Sequence, residues 1–298
     1  MPSTREMRLR IRSIKNLSQV TKALETVSAS KVRKAVQANE QTRAYAEGAW
    51  RLLLHLAGQT RRSGLHPLLG EREVIKNILV VMVSGDKGLA GSYNVNVVKE
   101  TLKEMAGQDA HVKYVTIGRR GRDMMIRRRK DIVAEFSNLP TPPTFLDTSA
   151  IGQMAVDMFL QKEVDQVYIA YTDFKSMLSQ EPVVKKLLPF GTDVAMDAHK
   201  TYGSVEHHHL VYSYEPSQEE ILQDIIPDFT KIQVFQAILS SQASEQAARM
   251  IAMRNATNSA NDLLAVLNVV YNKVRQTAIT NEILDITGGA EALKSAES

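Results

Sequence analysis

The chain has 298 residues, no cysteine and a formal net charge of +4. The missing cysteines exclude disulfides, thiolate metal sites, cysteine nucleophiles and thiol redox switches. With 44% hydrophobic and 23% charged residues there is enough apolar material for a core; the length suggests about two domains, and abundant Ala, Leu, Met and Gln favour helix over an all-β fold.

The first element is a long helix. Residues 3–47 contain neither Gly nor Pro, the strongest helix breakers. Between Arg5 and Lys34 stand about nine Lys or Arg against two Glu, so this helix needs an anionic or acidic partner or is a solvated face. No apolar h-region follows the basic N-terminus, so a signal peptide is not expected. Its apolar pattern runs on into the helix, which reads as mature protein. Leu17, Val20, Leu24 and Val27 step by three, four and three, and are the expected seam of a coiled coil.

The middle of the chain reads as α/β. An apolar strand is expected over 75–84, a helix over 94–106, strands over 112–117 and 132–136 with a helix starting at Arg119 between them, a helix over 149–163, and a strand over 167–172. Later strands over 183–189 and 205–214 are expected to be antiparallel. Alternating strands and helices imply a mostly parallel sheet. The longest apolar run, 78–83, is strand-sized and far from a membrane span.

Residues 228–287 again lack Gly and Pro. As one helix they would extend roughly 90 Å, and the N-terminal stretch roughly 65 Å. Helices of that length need a partner to bury a stripe. Met250, Met253, Thr257, Ala260, Leu264, Leu267, Tyr271, Val274 and Ala278 alternate steps of three and four, the 3.5-residue period of a left-handed supercoil. A compact middle domain with neighbouring ends makes the two terminal helices antiparallel.

Candidate chemistry is sparse. Ser84-Gly85-Asp86-Lys87-Gly88-Leu89-Ala90-Gly91-Ser92-Tyr93-Asn94 follows a strand and precedes a helix, where nucleotide folds bind phosphate. Its glycines fit neither the dinucleotide fingerprint nor the P-loop, so a tight strand-to-helix turn is the favoured reading over a phosphate cradle. His207 and His209 would share a strand face, as a metal pair would, but no third ligand stands at a suitable spacing. The basic N-terminal helix lacks the interleaved aromatics of a nucleic-acid surface. Glu282 and Asp285 share a helix face but read as surface charges. No catalytic set, cofactor or metal site is expected.

At the C-terminal helix a resemblance becomes specific. Ile279-Thr280-Asn281-Glu282-Ile283-Leu284-Asp285-Ile286-Thr287-Gly288-Gly289-Ala290-Glu291-Ala292 resembles the signature of F-type ATP synthase gamma subunits at every fixed position. The runs from Ser244 to Met253, Asn255 to Thr257 and Tyr271 to Gln276 resemble the same family's C-terminal helix. Ile14-Lys15-Asn16 and the run from Thr21 to Ala35 resemble its N-terminal helix, with Leu24 where Met is usual. The turn at 84–94 resembles the family's structural glycine element, with Gly85 inserted, Lys for Arg, and Ala90 for Cys.

The resemblance implies an α/β protein with a long antiparallel coiled coil of its N- and C-terminal helices (1–60 and 217–298) and a Rossmann-like α/β middle domain (74–215). It implies a non-catalytic rotor subunit. The coil would turn inside three alpha and three beta subunits, and the middle domain would bind epsilon and rest on a ring of c subunits. Lys31, Arg33 and Arg249 would face an acidic lever loop of beta, and Arg275, Gln276, Thr280 and Glu282 would hydrogen-bond a beta catch loop. Tyr212, Tyr214 and Glu215 would approach the c ring. No nucleic acid, cofactor or metal is implied. The expected location is peripheral, on the cytoplasmic side of a bacterial plasma membrane, through the complex alone.

Overall fold

The computed structural model describes residues 3–59, 68, 70, 72, 74–190 and 218–296. Among these residues the elements follow in the order α1 (Thr4–Gln59), β1 (Asn77–Val83), α2 (Tyr93–Met105), β2 (His111–Ile117), α3 (Arg119–Arg127), β3 (Asp131–Phe136), α4 (Phe145–Leu160), β4 (Gln166–Phe174), β5 (Gln180–Leu188) and α5 (Gln218–Ala296). They fall into two compact units. One is Ser28–Arg249; the other joins Met1–Val27 to Met250–Ser298, so α1 and α5 each contribute to both.

In the first of these units the sheet order is β3-β2-β1-β4-β5. The first four strands are parallel and β5 is antiparallel to β4. β1 lies at the centre, and six of its seven residues, Ile78 to Val83, alternate between two cores. Leu79, Val81 and Val83 face Ile151, Ala155 and Phe159 of α4 and Phe229, Val234 and Ile238 of α5. Ile78, Val80 and Met82 face the layer of Val97, Val98 and Met105 of α2 and Met125 of α3. A parallel strand covered on both faces must be apolar throughout, which explains the uninterrupted run that marked it in the sequence. The expected parallel sheet with a later antiparallel strand is what forms. The strand expected over 205–214 lies outside the described residues.

Most boundaries shift by one to three residues, and two helix starts have a local explanation. α4 begins at Phe145 rather than 149 because Thr144 caps it. The Thr144 hydroxyl accepts from the Asp147 amide, and the Asp147 carboxylate accepts from the Thr144 amide at 2.7 Å. That reciprocal box satisfies two otherwise orphaned donors and starts the helix one turn early. α5 runs through Pro227, where a helix normally loses about 3 kcal/mol relative to alanine. Its neighbours Ile226 and Phe229 are fully buried against the sheet, and that packing overrides the local preference.

Gly118 joins β2 to α3 in a conformation closed to other residues. Its φ is +91°, and a Cβ there would sit 2.2 Å from the Ser84 carbonyl oxygen. Its amide donates to Phe136 at 2.8 Å, so the backbone cannot easily move aside. Gly118→Ala is expected to lower stability by at least about 2 kcal/mol in urea unfolding, from strain and steric overlap together.

Candidate functional site

The strand order reverses between β1 and β4. In open α/β sheets the crevice outside the strand ends at such a point is where ligands bind. Here the chain fills that place with its own helix α5. The Ser241 hydroxyl shares a 2.7 Å hydrogen bond with the Tyr93 hydroxyl and accepts from the Thr172 amide at 3.4 Å. Ser240 accepts from the Phe174 amide at 2.9 Å and donates to Asp173 at 3.0 Å. Ser244 donates to the Thr172 carbonyl at 3.1 Å. Burial pushes the Tyr93 phenol well above its ordinary pKa, so it stays neutral.

The glycine turn is likewise turned inward. Leu89 and Gly91 take left-handed conformations, φ 63° and 56°, which make the turn from β1 into α2. The Gly85 amide donates to Asn94 Oδ1 at 2.8 Å, and a Cβ on Gly85 would lie 2.8 Å from the Glu245 carboxyl carbon. Asp86 accepts from the amides of Arg119 and Asn138 at 3.1 and 2.8 Å. Asp86 pairs with Arg119 at 3.6 Å and Glu245 with Arg249, so the charges at the turn are matched within the chain, and the turn serves strand-to-helix packing.

The other unit is a helix pair. Arg8 donates to the Tyr271 hydroxyl at 2.9 Å, Ser18 to Asn261 at 2.8 Å, and Arg254 to Glu25 at 3.1 Å, while the Thr21 and Thr257 hydroxyls are 2.7 Å apart. In each pair the two residue numbers add to 278 or 279. A constant sum is the mark of an antiparallel register held without slippage. The seam expected on α5, from Met250 to Ala278 in steps of three and four, is the buried or half-buried stripe.

The seam on α1 is not the expected one. Leu17, Val20 and Val27 are 51%, 56% and 51% exposed, and Leu24 is half-buried. The inward stripe is Met7, Ile11, Ile14, Ser18, Thr21 and Glu25, again in steps of three and four. Polar pairing across the seam selects this face. Thr21 meets Thr257, and Glu25 accepts from both Lys22 and Arg254. The Lys22 ammonium first, then the Arg254 guanidinium, hold the Glu25 carboxyl below its ordinary pKa. Sequence reasoning missed Glu25 and Arg254. The available signal was that Ser18, Thr21, Glu25 and Ser28 keep heptad spacing and can hydrogen-bond.

Among the described residues of the unit, this register leaves the end of α5 without a partner. Every residue from Ile279 to Gly289 is exposed. Outward-facing apolar side chains also line the paired part, including Leu9 on α1 and Val266 and Val269 on α5.

The residues singled out in the sequence are distributed accordingly. Lys31 and Arg33 are exposed on α1. Arg249 is only 11% exposed; its guanidinium pairs with Glu245 and donates to the Gly88 carbonyl at 3.3 and 3.4 Å. Arg275, Gln276, Thr280 and Glu282 are exposed along the last turns of α5, where the Thr280 hydroxyl donates to the Gln276 carbonyl at 2.9 Å. Asp285 is exposed beside them. Tyr212, Tyr214, Glu215 and the three histidines at 207–209 lie outside the described residues.

Comparison with known proteins gives one consistent relationship. A family model described as ATP synthase matches residues 3–293. An ATP synthase gamma chain of Dehalococcoides mccartyi (strain CBDB1) is 41% identical over 294 residues, covering 98% of this chain and 100% of the relative. One from Roseiflexus castenholzii is 40% identical over 296 residues, covering 98% and 99%. Among solved structures, a chain of the central stalk and c-ring of Tetrahymena thermophila mitochondrial ATP synthase aligns with TM-score 0.58 at 26% identity, over 80% of this chain and 99% of that one. A chain of the Euglena gracilis mitochondrial enzyme shares the fold with TM-score 0.67 at 16% identity, over 99% and 96%.

The Glu25 cluster gives a pH signature. A carboxyl with a depressed folded pKa stabilises above its unfolded pKa of about 4.3, and the benefit is lost as pH falls through the folded value. At neutral pH, Glu25→Gln is expected to melt several degrees below the parent by helical circular dichroism. The two melting temperatures should converge once both proteins are taken well below the ordinary glutamate range.

Proposed function

This chain belongs to the family of ATP synthase gamma chains, and on that premise we propose that it is the central-stalk rotor of a proton-translocating F-type ATP synthase. The observation that carries the reading is the antiparallel helix pair with a single register and apolar side chains facing outward. A shaft that turns in a sleeve must be firm inside and must not lock to its surroundings. Directional hydrogen bonds in the seam supply the first. Outward Leu and Val side chains supply the second, because apolar contact has no preferred angle.

In this reading residues 1–60 and 217–298 form the shaft and 74–215 the foot. Three alpha and three beta subunits surround the shaft, and the foot binds epsilon and meets the c ring through Tyr212, Tyr214 and Glu215. Proton flow turns ring and shaft together. An asymmetric shaft offers each beta subunit a different face, so the three sites differ in nucleotide affinity at any moment. The chemistry belongs to those subunits, and this chain supplies no catalytic group, cofactor or metal. Lys31 and Arg33 would face the acidic lever loop of beta as exposed, water-screened charges that attract without locking. Arg249 would present its exposed edge to that loop from a position fixed by Glu245 and Gly88. Arg275, Gln276, Thr280 and Glu282 would hydrogen-bond the catch loop from an exposed stretch of α5.

Among the described residues no helix is long and apolar enough to cross a membrane. Attachment through the complex, at the cytoplasmic face of a bacterial plasma membrane, is the arrangement we propose; the bacterial relatives support it.

A tagged chain recovered from gently extracted native membranes should bring alpha, beta and epsilon subunits in fixed ratio, with ATPase activity in the eluate. Recovery of the chain alone, or with nucleic acid removable by salt, would end the rotor reading. Within the assembled complex, Arg275→Ala is expected to lower ATP turnover roughly tenfold, the effect of losing one charge-assisted hydrogen bond. Unchanged turnover would remove Arg275 from the catch.

A further inference from the structure

The filling of the sheet crevice by α5 does more than close a vacant ligand place. We propose that Ser240, Ser241, Ser244 and the Glu245–Arg249 pair form the joint that fixes α5 against turning and sliding on the sheet, so that torque passes through it between foot and shaft. The inference rests on the rotor reading and assigns positioning roles to residues that take part in no interface with another subunit in that reading, Arg249 excepted.

Two kinds of contact hold α5 to the sheet. Along the earlier turns, Phe229, Val234, Ala237 and Ile238 are buried in the apolar core. Such packing is non-directional, and a helix can settle into a neighbouring set of grooves about one turn, roughly 5.4 Å, along. The contacts at 240–249 differ in kind. Ser240 and Ser241 grip the end of β4 through the amides of Phe174 and Thr172, and Ser244 takes the Thr172 carbonyl. Ser241 also holds the first residue of α2 through Tyr93. Gln242 donates to the Pro140 carbonyl ahead of α4 at 2.9 Å. Arg249 reaches the glycine turn at Gly88.

These partners lie at the ends of separate elements, so no single rotation of the helix preserves them all. Ser241, Ser244 and Tyr93 are buried. A slip of even one residue would leave their hydroxyls without partners and without water, which is why the register is stiff. The small size of serine lets the helix backbone come close enough for its hydroxyls to reach main-chain groups. Glu245 needs Gly85 opposite it, since any Cβ there would meet its carboxylate.

The test compares hydrolysis with coupling. Tyr93→Phe, Ser241→Ala and Ser244→Ala are combined, removing both hydroxyls of the Tyr93–Ser241 pair so that neither is left orphaned. The variant is assembled in the full complex, reconstituted in vesicles, and measured for ATP hydrolysis and for ATP-driven proton uptake. The catalytic head detached from the membrane ring is assayed separately. Hydrolysis by the detached head should be unchanged, because the shaft turns there without load. Proton uptake per ATP hydrolysed in the full complex should fall several-fold. An unchanged ratio, or a loss of uptake in strict proportion to hydrolysis, would overturn the joint. If the combined variant does not assemble, Tyr93→Phe alone carries the same expectation in smaller measure, with the same overturning result. Failure of the parent chain to join alpha and beta would strike the rotor reading instead.

Discussion

A helix can be long only if something covers its apolar stripe along the way, and α5 depends on that constraint more than any other element here. Over 226–249 the cover is a β-sheet, with Phe229, Val234 and Ile238 in its core. From Met250 to Ala278 the cover is α1, in a register whose paired residue numbers add to 278 or 279. The two covers ask for different surfaces. Against the sheet the helix presents large apolar groups followed by serines. Against α1 it presents a narrow stripe in which Thr257 and Ala260 allow close approach.

The helix pair reverses the usual assignment of polar and apolar positions. Ser18, Thr21 and Glu25 point into the seam, while Leu17, Val20 and Val27 point out. A seam that mixes hydroxyls and one charged cluster with its apolar residues is weaker per residue than a leucine seam but admits few alternative registers, because a buried carboxylate must keep its cations. The outward residues can then be chosen for their surroundings. In a lone soluble protein such a surface would be a liability; against a close-fitting sleeve it is the expected lining.

Much of the fold was legible in the sequence because its signals are periodic. The central strand announced itself as an unbroken apolar run, and the α5 seam as a 3.5-residue repeat. Apolar spacing alone does not select the α1 seam, because two sets of apolar residues at heptad spacing compete on that helix. Only the partner's Thr257, Asn261 and Arg254 decide between them, and they stand more than two hundred residues away. The start of α4 was hidden in a Thr-x-x-Asp box rather than in hydrophobicity. The filled crevice was invisible for a related reason: Ser240, Ser241 and Ser244 look like ordinary surface serines of a helix until β4 and Tyr93 are placed beside them. Arg249 looked free in the sequence, yet it is largely covered.

The narrowness of the seam also sets how the helix pair responds to temperature. The heat capacity of unfolding rises with newly exposed apolar surface and falls with newly exposed polar surface. Leu17, Val20 and Val27 are wet before unfolding and contribute little to the change, so the pair's share comes from its single inward stripe, chiefly Met7, Ile11, Ile14, Met250, Met253, Leu264 and Leu267. With one stripe covered rather than two faces, the pair has the shallower stability curve. The sheet unit, with two apolar cores on β1, has a strongly curved one. On cooling, the chain therefore loses hydrophobic stabilisation faster in its sheet unit than in its helix pair.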